Sequence, residues 1–194
     1  MLESEYQRRR VLPHHLRKPV EPERAFSFVI RDARASDLPE VREMYNYYVA
    51  NSSVTFDSRA MSHSDWAHKF GVLQKFRMPF LVAEAPTGQI LGYALAAPIQ
   101  ERRSARVVAE NSIYLGPAAT GKGLGTALMA ALIEKSRALG LRELVAIIAD
   151  KNAEGSLRLH EQFGFVESGR MGRVGFKFGR HLGSIMMRKS LKRG

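Results

Sequence analysis

The stretch "YLGPAATGKGLGTALMAALIEK", Tyr114 to Lys135, decides how this chain folds. It holds two competing phosphate motifs. Gly116-x4-Gly121-Lys122 is nearly a P-loop, and Gly121-Lys122-Gly123-Leu124-Gly125 is a glycine turn running into an apolar helix. A P-loop needs Ser or Thr directly after its Lys, because that hydroxyl ligates Mg²⁺. Gly123 stands there instead. Asp150, at the end of a later apolar run, could imitate the second carboxylate of a triphosphatase. The missing hydroxyl still removes a ligand for the metal that neutralises developing phosphoryl charge. The glycine turn accounts for more residues. Gly121, Gly123 and Gly125 let backbone N–H groups converge on an anion, and the dipole of the following helix favours that charge. The strand before it, Ile113-Tyr114-Leu115, can pair its free edge with an extended ligand. A metal-free diphosphate joined to an extended, amide-bearing arm describes coenzyme A.

Outward from this stretch, apolar periodicity sets the elements. Upstream, "FSFVIRDA" reads as a strand, and Ser36 or Asp37 as the cap of a helix with Leu38, Val41, Tyr45 and Tyr48 on one face. Ser62 and Asp65 form a capping box before a helix carrying Trp66, Phe70 and Leu73. "FLVAEA" and "ILGYALAAP", joined at Thr87-Gly88, predict a hairpin, and "VVAENSIYL" the next strand. The quoted helix is expected over Leu124 to about Leu139, stopped by Gly140. "ELVAIIAD" is continuously apolar and predicts a strand buried on both faces. Asn152 is read as the cap of a last helix ending at Gly164, and a β-rich segment closes the chain. The pattern is α/β (α+β): one domain over residues 27–194, with a mixed, mostly antiparallel central sheet flanked by helices. Residues 1–26 lack any period and read as a mobile extension.

Composition bounds function. The chain has 194 residues, 45% hydrophobic and 25% charged, as expected of a soluble domain. No apolar run approaches the roughly 18 residues that span a membrane. Cysteine is absent, which excludes disulfides, thiolate metal sites and a cysteine nucleophile. With no apolar h-region near the N-terminus, the expected compartment is the cytoplasm. Net charge is +11, and from Ser168 onward there are eight Lys/Arg and no Asp or Glu. Such a surface can attract a polyanionic cofactor or nucleic acid. Phe163, Phe165, Phe176 and Phe178 read as core rather than as base-stacking aromatics, so nucleic acid is the weaker partner. "HEQFG" has Gly164 where H-E-x-x-H needs its second His, so no metal site is expected.

The segment "ENSIYLGPAATGKGLGTALMAALIEKSRALGLRELVAIIADKNAEGSLRLHEQFGF", with "VTF" at Val54 to Phe56, resembles the GNAT acetyltransferase superfamily. Within that superfamily it is similar to the phosphinothricin/methionine-sulfoximine N-acetyltransferases. The resemblance covers about Val29 to Lys189. It implies a GNAT fold, a homodimer, and transfer of acetyl from acetyl-CoA to the amino group of a small amine, an amino acid or analogue. It also implies a cofactor site built from Ile113, Tyr114, Leu115, Thr120, Gly121, Lys122, Gly123, Leu124, Gly125, Thr126, Asn152 and Ser156. Thr120 replaces the usual Gln or Arg at the start of the glycine loop.

The resemblance assigns the general base to Glu110 and a residue near the departing sulfur to His160. A carboxylate at a central strand suits the chemistry, because the acceptor ammonium must lose a proton before it attacks. The N–H of Tyr114 or Leu115 can donate to the developing oxyanion. Asn152, Ser156 and His160 recur at four-residue spacing and are expected on one helix face. On the acceptor side, Phe56 and Arg102 are the implied substrate contacts, Arg102 forking onto a carboxylate. Ala105 stands where a Tyr is expected, and Arg180-His181-Leu182-Gly183 departs from the family's C-terminal segment. Both departures bear on the choice of acceptor. The alternatives are a noncatalytic acyl-CoA-binding protein and a basic nucleic-acid-binding regulator.

Overall fold

The computed structural model describes residues 26–100 and 107–192. In chain order the strands and helices are β1 (Val29–Asp32), α1 (Leu38–Asn51), α2 (His63–Lys75), β2 (Phe80–Glu84), β3 (Ile90–Pro98), β4 (Val108–Leu115), α3 (Leu124–Ala138), β5 (Glu143–Ala149), α4 (Glu154–Gln162), β6 (Val166–Lys177) and β7 (Arg180–Ser190). Among the described residues seven strands make one sheet in the order β1-β2-β3-β4-β5-β7-β6. Among the described residues β4–β5 is the one parallel pair, and α3 is its crossover.

The two faces of the sheet are covered by different helices. On one face, Tyr114 of β4 packs against Tyr45 and Tyr48 of α1, and Trp66 of α2 against Phe80 and Tyr93. On the other, Asn111 meets His160 of α4. Gly92 there lies so close beneath α3 that an added Cβ would sit 2.8 Å from Leu115 and 3.3 Å from Leu124. Tyr114 and Asn111 are three apart in β4, and strand alternation sends them to opposite faces.

The capping box forms as expected, with the Ser62 hydroxyl accepting from Asp65 N–H and the Asp65 carboxylate from Ser62 N–H. Several expectations are corrected. Asp37 does not cap α1 through its side chain. It closes the short turn Ala35–Asp37 by accepting from Arg34 N–H at 2.7 Å. The Arg31 guanidinium hydrogen-bonded to it holds its carboxyl below the usual range. Asn152 is not the cap of α4 either: it sits ahead of the helix at φ +58°. β5 is not buried on both faces, since Ile147 is 41% exposed. Phe176 and Phe178 are exposed on the β6–β7 hairpin rather than in the core.

Candidate active site

β4 and β5 run together for only three register pairs, Val108↔Glu143, Ala109↔Leu144 and Glu110↔Val145. β4 then stays with β3 to Leu115, whereas β5 stays with β7 to Ala149. The two strands part, and a cleft of about 610 Å³ opens between them, with Ile113 and Leu115 on one side and Ile147 on the other. That is why the apolar run of β5 is not fully covered. Its outward residues line the cleft.

The direction of the β4 backbone follows from its partners. Gly116 N–H donates to Leu91 O of β3, while Val107 O accepts from Arg142 N–H on the β5 side. Pro98, which has no N–H, stands opposite Ala109. Even-numbered residues of β4 therefore bond to β3, and the N–H groups of Asn111, Ile113 and Leu115 face the parting strands. This corrects the expectation of Tyr114 as an oxyanion donor, because its N–H points toward β3. Leu115 stays available.

The glycine turn closes one end of the cleft. Gly121 (φ +73°) and Gly123 (φ +78°) occupy the left-handed region. Gly123 precedes α3 with no side-chain cap, so the first-turn N–H groups of α3 have no capping partner. Thr120, Gly121, Gly123, Gly125 and Thr126 line the cleft. For Leu124 and Lys122 the side chains point away from the cleft, which leaves their backbone N–H groups as the parts that can meet a ligand. The Leu124 side chain is fully buried in the core, and the Lys122 Nζ lies 4.9 Å from the Phe26 ring centroid, outside the cleft lining. Asp150 accepts from Gly183 N–H at 2.9 Å, which ties the end of β5 to β7.

Asn152, Ser156 and His160 line the opposite wall. Only Ser156 and His160 belong to α4, where they sit one turn apart. Asn152 reaches back to Ser53, its Nδ2 donating to Oγ at 3.0 Å. His160 is 2% exposed, and burial pushes its pKa down, so the ring is neutral near pH 7. Its Nδ1 lies 2.7 Å from Ser156 O and its Nε2 2.9 Å from Asn111 Nδ2. Asn111 was not singled out from sequence. The signal available was a carboxamide in mid-strand, between Glu110 and Ser112.

Glu110 ends the paired stretch, on the other face of β4 from Asn111. Burial pushes its carboxyl up, partly offset by the charge of Lys69 from α2. Lys69 lines a second pocket, with Phe56 and Asp57. The loop carrying Phe56 is pinned from three sides. Lys177 Nζ donates to Ser52 O and Thr55 O, Asn152 holds Ser53, and the Tyr45 hydroxyl donates to Asp57. Lys69 and Lys177 also escaped the sequence reading, since each meets its partners only across the fold. Arg102 lies outside the described residues. Among the described residues no group of three or more metal-ligating side chains occurs.

A strand edge with free donors and an uncapped helix N-terminus border one cleft, and a desolvated carboxylate stands at the fork where β4 and β5 part. The cleft can hold an extended ligand with an anionic end, and a carboxylate of this kind is suited to taking a proton from an ammonium.

The acetyltransferase (GNAT) family model matches residues 41–165. Phosphinothricin N-acetyltransferase of Alcaligenes faecalis is 33% identical over 165 residues, spanning 85% of this chain and 83% of the relative. L-methionine sulfoximine/L-methionine sulfone acetyltransferase of Pseudomonas paraeruginosa is 38% identical over 162 residues, covering 84% of this chain and 94% of the relative. The crystal structure of a GNAT superfamily phosphinothricin acetyltransferase from Sinorhizobium meliloti in complex with acetyl-CoA superposes with a TM-score of 0.80. It is 35% identical, covering 85% of this chain and 89% of that one.

Proposed function

The chain belongs to the GNAT acetyltransferase family, and we propose on that premise that it transfers acetyl from acetyl-CoA to the amino group of a small amino acid or a close analogue. The observation that carries this is the parting of β4 and β5 just past Glu110. An extended arm fits beside the free N–H groups of Ile113 and Leu115, and a diphosphate fits the turn from Thr120 to Gly125 leading into α3. Asn152, Ser156 and Thr126 flank it. Acetyl-CoA supplies an activated acyl group as a thioester. Glu110, raised by burial, takes the proton from the acceptor ammonium, directly or through water. The Leu115 N–H offers a hydrogen bond to the acyl oxygen. Phe56 shapes the acceptor side, and Arg102 pairs with an acceptor carboxylate. No metal takes part in this reading.

The test is thiol release from acetyl-CoA over a panel of amino acids, phosphinothricin, methionine sulfoximine and simple amines. It is paired with calorimetric titration of coenzyme A. Turnover with a carboxylate-bearing amine is expected. Coenzyme A binding without turnover on any acceptor would leave a noncatalytic binding protein, and affinity for DNA at low salt without coenzyme A binding would leave a regulator.

Gly123→Val probes the turn. The added side chain meets open space, so its effect is backbone strain of about 1–3 kcal/mol at φ +78°. Coenzyme A affinity is expected to fall roughly tenfold or more as the strain shifts the anion-binding N–H groups. Unchanged affinity would remove the phosphates from this turn.

The reading extends to a homodimer in the cytoplasm. β6 is an edge strand, and Val166, Met171, Val174 and Phe176 on it are exposed apolar side chains. A second copy would cover them. Sedimentation of the full chain should give a dimer and Phe176→Glu a monomer. A monomeric wild type would refute the assembly alone.

A further inference from the structure

His160 and Asn111 meet inside the cleft wall, and the chemistry of their neighbours determines how each is oriented. A backbone carbonyl only accepts, so the His160 nitrogen 2.7 Å from Ser156 O is the protonated one. In the neutral ring Nε2 is then bare and can only accept. Its partner at 2.9 Å must be the Asn111 N–H₂. That contact excludes the flipped amide, which would set two acceptors against each other. The Asn111 oxygen consequently points away from the ring. It is buried and has no hydrogen-bond partner among the described residues. A buried carbonyl left unpaired is expensive for a folded protein, and native structures seldom keep one without a use.

The ring is equally constrained. Its one proton is directed along its own helix at Ser156 O, and its other nitrogen is occupied by Asn111. Neither is free to serve a departing thiolate. Both residues line the cleft between β4 and β5, beside Ile113, whose N–H faces the same opening.

We propose that His160 and Asn111 act as one positioning unit. The ring locks the Asn111 carboxamide so that its oxygen accepts a hydrogen bond from an amide N–H of the acyl-CoA arm, and the ring itself transfers no proton. The ligand class is a secondary amide in an extended chain, which has a donor of the required kind. This rests on the coenzyme A reading of the cleft. It departs from the role expected of His160, and it gives Asn111 a task that the sequence did not suggest.

The experiment combines three measurements on the full chain. First, ¹⁵N NMR of the imidazole rings at pH 7, with His160 assigned by its loss in His160→Gln, should show Nδ1 protonated and Nε2 bare. A proton on Nε2 would overturn the assignment at once, with no variant's stability in question. Second, His160→Gln keeps an acceptor for the Asn111 N–H₂ but offers no imidazole acid. It should recover most of the coenzyme A affinity that His160→Phe loses, and its pH–rate profile should keep the wild-type shape. His160→Phe and Asn111→Ala should each weaken coenzyme A roughly tenfold, the scale of one hydrogen bond. Third, the two losses should not add in the double variant, because one contact is being removed. Melting temperatures identify any variant that fails to fold, and the Gln variant and the NMR result then decide. If His160→Gln loses about 100-fold in kcat with unchanged coenzyme A affinity, the ring is the proton donor and the proposal is wrong. Unchanged affinity in both His160→Phe and Asn111→Ala would also refute it. A wild type that does not bind coenzyme A would fail the cofactor reading instead, a separate result.

Discussion

Glu110→Gln is expected to lower kcat/KM by roughly 100-fold or more near neutral pH while leaving coenzyme A affinity within about twofold. The substitution keeps the size and hydrogen-bonding groups of the side chain and removes its basicity, and a positioned base is worth about 10²–10⁴-fold. Affinity should survive because Glu110 lies on the other face of β4 from the Asn111 wall, away from the turn proposed to hold the phosphates. Raising pH should partly rescue the variant, because more of the amine then arrives already deprotonated. In wild type the rate should climb through the raised pKa of the buried carboxyl and reach its plateau above the ordinary carboxylate range.

Stability should move the other way. A carboxyl whose folded pKa is raised favours the folded state at low pH, and that advantage is lost as pH rises through the raised value. Once ionised, Glu110 is thus a burden on the fold that Gln does not impose. The variant should melt no lower than wild type, and this separates loss of a base from loss of structure. An unchanged pH–rate profile with unchanged kcat/KM would put the base elsewhere.

Trp66→Ala is expected to have the largest effect on stability, a loss of about 3–5 kcal/mol in urea unfolding. Trp66 is fully buried and is met by the rings of Tyr45, Phe80 and Tyr93, so its removal leaves a void between α2 and the sheet. Against a total stability of about 5–15 kcal/mol, this is a large share. Trp66→Phe should cost far less. It refills most of the volume, and it deletes an indole N–H that is buried without a partner among the described residues. α2 also carries Lys69, which offsets the burial of Glu110. The Ala variant should therefore disturb the pH–rate profile as well as the melting curve. A cost under about 1 kcal/mol would mean that the α2 face is not packed as tightly as the contacts indicate.

What could be read along the chain follows from the range over which each signal acts. Capping at Ser62 and Asp65, the stop at Gly140, the Thr87-Gly88 hairpin and the turn through Gly121 and Gly123 each depend on residues a few positions apart, and all were legible. The glycine turn beside a strand edge pointed to coenzyme A for the same reason: helix N-terminus and strand are adjacent in the chain. Most errors arose where partners come from afar, Asp37 being the exception, since Arg31 and Arg34 lie only six and three residues from it. Asp37 reads as a helix cap, but Arg31 and the turn engage it. The run at β5 reads as buried on both faces because periodicity reports hydrophobicity, not that β4 departs after Glu110. Asn152 reads as a cap, yet its amide is drawn to Ser53, 99 residues away.

The site divides along the same line. The sequence by itself determined the fold class, the glycine turn ahead of α3 and the carboxylate at the central strand. Tertiary structure decided what those groups can do. The burial that raises Glu110 and sets Lys69 near it, the pinning of the Phe56 loop by Lys177, and the hydrogen bonds that orient Asn111 and His160 all join residues from separate elements. A pKa and a tautomer depend on what surrounds a group in space, and only the packing of the helices on the sheet supplies that.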